Sequence, residues 1–168
     1  RLLWNKDRPK EEEALSDWIK IELEAALAGK AIVLNREVQI HIKERTDIHV
    51  DAITQDLHTK ELDRLKLIIE VKGCWHPELK TAMETQLLGR YLTDNDCRYG
   101  IYLVGWFLCT VWSKKDSRIK RLKFTKRQQL AAYLSKQAHQ LSSGDNLIRS
   151  VVLDASIPWV KPRGAKGK

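Results

Sequence analysis

The stretch Leu65-Lys66-Leu67-Ile68-Ile69-Glu70-Val71-Lys72-Gly73 decides the fold. It is dense in β-branched and apolar residues, as a buried strand is. Side chains alternate along a strand, so Ile68, Glu70 and Lys72 share one face while Leu67, Ile69 and Val71 share the other. A carboxylate and an amine thus project together from a strand otherwise built for a core. An isolated pair of this kind is ordinarily a solvated salt bridge, because charged residues are rarely buried. What surrounds the pair decides between that reading and a chemical one.

Upstream, Asp47 to Ile53 reads as a strand in which Asp47, His49 and Asp51 share a face. Leu65 to Lys72 is the next strand, and the polar residues Gln55 to Arg64 between them form a turn region. If the two strands pair as a hairpin, an Asp meets Glu70 across the ladder. Spacing alone allows either Asp47 or Asp51 to be that partner. Two carboxylates side by side repel unless a cation sits between them. Oxygen ligands on a half-open site suit Mg²⁺ or Mn²⁺. Such a metal polarises a phosphate oxygen and acidifies a bound water, and an amine two residues on is placed to orient that water or stabilise developing charge. These are the groups that phosphodiester hydrolysis requires.

Working outward, residues from about 11 to 28 have helical periodicity. Leu15, Trp18, Ile19, Leu23, Ala26 and Leu27 form the stripe, and Gly29 is a natural stop. Glu22 falls on that stripe and Glu24 does not. Ala31 to Ile42 reads as a strand bent near Asn35-Arg36. Pro77 suits the first position of a helix running to Leu92. In it Leu79, Met83 and Leu87 mark the buried side, and Gln86 and Arg90 interrupt it. Tyr99 to Phe107 is a strand buried on both faces. Thr125-Lys126-Arg127-Gln128 has capping-box form and opens a helix with Leu130, Tyr133, Leu134, Ala138 and Leu141 on one side. Leu147 to Leu153 is the last strand. The order is αβββαβ followed by αβ, an α/β mixed sheet flanked by helices. Residues 1–157 read as one domain and 158–168 as a basic flexible tail.

The chain of 168 residues carries a net charge of +8, which favours a polyanionic partner. No apolar run approaches the ~20 residues a membrane helix needs, so no membrane partner is expected. The three cysteines, Cys74, Cys97 and Cys109, have no paired spacing, which fits a reducing compartment, the cytoplasm. Lys114, Lys115, Arg118, Lys120, Arg121, Lys123, Lys126 and Arg127 form a basic run opposed only by Asp116. Lys114, Lys115, Lys120, Arg121 and Lys123 are the expected phosphate contacts, with a solvated loop as the bland alternative. His49 and His76 read as satisfied or solvated histidines.

Three motifs stand in order: Arg45-Thr46-Asp47-Ile48, then Ile69-Glu70-Val71-Lys72-Gly73, then Gln86-Leu87-Leu88-Gly89-Arg90-Tyr91. Together they resemble the motif series of the PD-(D/E)xK nucleases. The Gln followed five positions later by Tyr is similar to the RecB-like branch. Glu44 departs from the Gly usual in that family. The resemblance spans residues from about 11 to 107 and implies a restriction-endonuclease-like fold and divalent-metal cleavage of DNA. It selects Asp47 over Asp51.

The expected site is then Asp47 and Glu70 on Mg²⁺ or Mn²⁺, with the Val71 carbonyl joining them. Lys72 assists the nucleophile and Gln86 positions the site. Because the family often carries a helix acid, Glu22 is expected at the metal. Tyr91, Arg90 and Asp51 are secondary candidates. Double-stranded DNA is the expected substrate; RNA or branched DNA, or a catalytically silent binding module, are the alternatives. The opening Arg1 is read as the start of a piece of a longer protein, and no segment for base readout is evident. The expectation is an effector domain of a larger cytoplasmic protein, with antiviral defence as a setting. Its partners are that protein's other domains and a second copy, because double-strand cleavage takes two sites.

Overall fold

The computed structural model describes residues 2–30, 32–36, 39–41, 44–45, 48–55 and 62–157. A small hairpin of β1 (Trp4–Asn5) and β2 (Arg8–Pro9) leads into helix α1 (Glu12–Ala26). Gly29 then turns the chain at φ +79, where the absence of a Cβ removes the steric penalty. Strands β3 (Ile32–Arg36), β6 (Ile48–Gln55), β7 (Leu62–Gly73), β8 (Tyr99–Trp106) and β9 (Leu147–Asp154) form one mixed sheet in the order β3-β6-β7-β8-β9. The first two junctions are antiparallel and the last two parallel. Between β7 and β8 runs a π-helix (Met83–Leu92), and between β8 and β9 lie a 3₁₀ turn (Ser117–Arg121) and helix α2 (Arg127–Leu141). The αβββαβ order with an αβ extension is present.

Several elements differ from the sequence reading, each for a local reason. Of the expected strand from Ala31 to Ile42, Ile32–Arg36 pairs with β6. Residues of β4 (Gln39–His41) pair instead with β5 (Glu44–Arg45) as a separate hairpin. The helix expected from Pro77 begins as irregular turns. Amides of Leu79 and Thr81 reach carbonyls three residues back while that of Ala82 reaches four back, and only from Met83 does a regular helix form. The Thr125 capping box does not close: Lys126 is the N-cap of α2 and no side chain caps it. The tail 158–168 lies outside the described residues.

Strand β7 sits third of five and is buried on both faces, with Ile68, Ile69, Glu70, Val71 and Lys72 all inside. Parallel partners share a face, so Gly73 faces with Gly105 and Ile68 with Gly100. A Cβ on Gly105 would stand 2.6 Å from Leu15 of α1, and one on Gly100 would stand 3.1 Å from Leu87 of the π-helix. Helix α1 therefore covers the Ile69-Val71 face, and the π-helix covers the face bearing Glu70 and Lys72. At the carboxyl end of the strands Trp4, Trp75, Phe107 and Trp112 interlock, with centroid separations of 5.1 to 6.4 Å and tilted or edge-on rings, the geometry aromatic quadrupoles prefer. No helix among the described residues is long and apolar enough to cross a membrane.

The close approach at Gly105 gives a stability test. Gly105→Ala forces Phe107, whose Cε2 would also stand 2.6 Å away, to shift. Overpacking of this kind costs about 1–3 kcal/mol, and urea unfolding should register that loss. Wild-type stability in the variant would contradict the packing described.

Candidate active site

Glu70 and Lys72 point from one face of β7 and form an ion pair, Nζ to Oε1. Glu70 is 1 % exposed and Lys72 is 9 % exposed. The solvated-strand reading therefore fails: both charges sit in the core, where an ion survives only if it is paired and hydrogen-bonded. The ladder between β6 and β7 runs from Gln55↔Leu62 to Ile48↔Ile69. In that register Asp51 stands opposite Lys66, not Glu70, and it is held by Arg64 at 2.9 to 3.0 Å. The pairing of Asp51 with Glu70 that spacing left open is thereby removed. Asp47 lies outside the described residues.

The acid that α1 brings to this region is not Glu22. Glu22 is exposed, while Leu15, Ser16 and Ile19 form the buried face of the helix. The stripe identified from Leu15 forward extends one turn backward instead. Glu12 lies three and four residues before Leu15 and Ser16, hence on their side. Its Oε1 accepts a hydrogen bond from the Gly73 amide at 2.7 Å, immediately after Lys72. Its Oε2 lies 3.8 Å from His76 Nε2. The Glu78 amide donates to His76 Nδ1 at 3.1 Å, so in the neutral ring the proton sits on Nε2, facing Glu12. Burial, then the nearby Lys72 charge, push the His76 pKa down to about 4 against the opposing pull of Glu78.

Gln86, on the π-helix, donates to Glu78 Oε2 at 2.6 Å. The sequence reading found Gln86 but not its partner. Tyr91 is buried, and Arg90 is half-buried. The π-helix gives the five-residue interval from Gln86 to Tyr91 a structural meaning, because its hydrogen bonds run from i to i+5. On the same sheet face, His49 stands opposite Ile68, one row from Glu70. It is 8 % exposed, and its Nε2 is buried without a hydrogen-bond partner among the described residues. That corrects the expectation of a satisfied histidine. Burial lowers its pKa.

Two roles separate within the basic run. Arg118 is structural: it bonds Asp116 at 2.8 Å, Glu11 at 3.1 Å and the Pro9 carbonyl at 2.6 Å, and lies 4.8 Å over the Trp75 ring. Burial raises the Asp116 pKa, but hydrogen bonds from Arg118 and Trp112 outweigh it and hold the carboxyl at about 2. Arg127 is engaged by Asp154. Lys114, Lys115, Lys120, Arg121, Lys123 and Lys126 are exposed and make no ion pair among the described residues. Cys74 is a buried free thiol with its pKa raised by burial to about 11. Among the described residues no group of three His, Cys, Asp or Glu is gathered that could hold a metal.

His76 gives a pH test. Between pH 6.5 and about 4 the unfolded chain protonates His76 while the folded chain leaves it neutral. The unfolded state then binds more protons, so stability falls as pH falls through that window. His49, also lowered, adds in the same sense. His76→Gln should therefore lose less stability than wild type between pH 7 and pH 5 in urea unfolding. Equal losses would show that His76 titrates normally.

No curated protein and no solved structure matches the chain. A family pattern matches residues 1–108, which include Glu12, His49, Glu70, Lys72, His76 and Gln86. The chain belongs to that family, DUF8371, a domain of unknown function.

Proposed function

We propose that the chain is a metal-dependent deoxyribonuclease of the PD-(D/E)xK superfamily, with a restriction-endonuclease-like fold and with Asp47, Glu70 and Lys72 as its catalytic set. The observation that carries this reading is the buried Glu70–Lys72 pair on the central strand. A structural salt bridge gains little from such a location. The β6–β7 ladder sets Asp51 opposite Lys66 and away from Glu70, which leaves Asp47, the acid that the motif resemblance selects, as the second acid.

Three further observations support the reading. The π-helix over this face is of a kind enriched at functional sites. The unpartnered His49 Nε2 lies on that same face, and a buried polar atom without a partner is uncommon unless a ligand or water uses it. The segment bearing the exposed lysines leaves the carboxyl end of β8, whose Gly105 is paired with Gly73 at the end of the catalytic strand. Cations so placed meet a phosphate backbone beside the reacting group.

The donors fit a hard cation: a carboxylate from Glu70, a backbone carbonyl from Val71 and a carboxylate from Asp47. Bound there, Mg²⁺ or Mn²⁺ supplies Lewis acidity and an acidified water. Lys72 stabilises charge on the phosphate, and Glu70 holds its ammonium in place. Glu12 fixes the backbone just beyond Lys72. Gln86 and Glu78 brace the turn between strand and helix. The three free thiols agree with a reducing, cytoplasmic setting. The reading includes an effector role in a larger protein and pairing of two copies for double-strand cleavage.

The test incubates the protein with plasmid, single-stranded DNA and RNA, with and without Mg²⁺ or Mn²⁺. Cleavage should need metal, and Asp47→Ala, Glu70→Ala and Lys72→Ala should each lower it at least about 10²-fold with folding retained. Glu22→Gln should leave it unchanged. Full activity in Lys72→Ala would refute the mechanism; binding without cleavage would mark a silent module. Replacing Lys120, Arg121 and Lys123 by Ala should flatten the salt dependence of duplex binding by about 0.9 in log–log slope per lost phosphate contact.

A further inference from the structure

We infer that the flank of α2 facing the π-helix is a stacking platform for an unpaired nucleic-acid strand, built from Tyr133, Phe124 and Lys80. The inference deepens the nuclease reading by naming the form of its substrate. It departs from the expectation of a purely double-stranded one.

Tyr133 was expected on the buried side of α2, with Leu130 and Leu134. Those two are fully buried, but Tyr133 is 38 % exposed. Its ring lies against Phe124, with centroids 5.4 Å apart. Lys80 Nζ stands 5.2 Å from the Phe124 centroid and 5.4 Å from that of Tyr133. An open groove of about 320 Å³ begins here, lined by Tyr133, Lys136, Gln137, Gln140, Leu141 and Glu84. Gln137 donates to the Lys80 carbonyl at 2.7 Å, and its own Oε1 is buried without a partner among the described residues.

The charge of the surface selects the occupant. Lys80, Lys123, Lys126 and Lys136 are exposed around the aromatic pair, with Glu84 as the acid in the groove lining. A neutral apolar partner gains nothing from this ring of cations, whereas a polyanion with flat aromatic groups gains from both parts. Unpaired bases offer such groups; in a duplex their faces are taken by neighbours. Aromatic side chains beside a cationic track are how single strands are held without sequence preference.

The platform is also rigidly joined to the proposed catalytic strand. Lys80 belongs to the segment that leaves β7 just after Lys72 and Gly73. That segment is fixed by the Cys74 amide on the Gly105 carbonyl at 3.0 Å and by the Tyr102 hydroxyl on the Leu79 carbonyl at 3.1 Å. Leu79 and Ala82 are buried beneath it.

Fluorescence anisotropy tests this with labelled oligo-dT, oligo-U and a blunt duplex, all in chelator so that nothing is cut. Tyr133→Ala should weaken single-strand binding about 5- to 150-fold, and Tyr133→Phe should keep it. Tyr133→Leu, which preserves the apolar contact without a π-face, should match the Ala variant and guards against misfolding. Duplex binding should be unchanged in all three. Loss with dT alone, with U alone or with both identifies DNA, RNA or either as the strand. Wild-type single-strand affinity in the Ala and Leu variants, equal losses for duplex and single strand, or no single-strand binding by wild type would overturn the inference. A protein that cuts nothing with Mg²⁺ would sink the nuclease reading while leaving this binding result standing.

Discussion

A carboxylate and an ammonium buried side by side in a central strand are expensive to desolvate, and their mutual attraction only partly offsets that cost. Glu70 and Lys72 occupy such a position in β7. The pair survives because the structure surrounds it with order. Strands β6 and β8 flank β7 through long ladders, and the π-helix closes the face on which both charges project. On the proposed nuclease reading, an arrangement so unfavourable for stability alone is the resting form of reactive groups held in a dry, preorganised site.

The supports lead outward from that pair. Glu12 ties the first turn of α1 to Gly73, next to Lys72. Glu11, one residue earlier, is held by Arg118, which also engages the Pro9 and Lys10 carbonyls and Asp116 and lies over Trp75. The amino-terminal hairpin, the start of α1 and the base of the lysine-rich segment are thus one polar cluster seated on the tryptophans. Arg118 is spent on this joint, and its neighbours Lys114, Lys115, Lys120, Arg121 and Lys123 are left facing solvent. One segment therefore serves architecture and surface charge at once, divided residue by residue.

The strands were legible in the sequence because their patterns are strong. The run Leu65 to Lys72 and the run Tyr99 to Phe107 admit little else, and the alternation of Glu70 with Lys72 placed both on one face. The register could not be read, since Asp47 and Asp51 are both compatible with a hairpin; the ladder itself removes Asp51. Glu22 was misplaced because periodicity locates a face but not how far along the helix that face stays covered. The covered part is the first half, where Glu12 lies. Glu12 was detectable in principle, one turn before Leu15, but it stands within Glu11-Glu12-Glu13 and reads as a solvated acidic start. The bonds of Arg118 to Glu11 and Pro9 had no signal at all, since they join residues 107 and 109 positions apart. Tyr133 shows the same limit: it lies on the edge of an apolar stripe, where exposure depends on the neighbouring helix.

The central claim is that the Glu70–Lys72 pair is kept for chemistry and not for stability. The double variant Glu70→Met, Lys72→Met tests it by urea unfolding together with Mg²⁺-dependent cleavage. Apolar groups of similar volume in place of a buried ion pair are neutral or stabilising by about 1–4 kcal/mol. The account predicts a double variant at least as stable as wild type and devoid of cleavage. A double variant that is strongly destabilised, or one that still cuts, would contradict it.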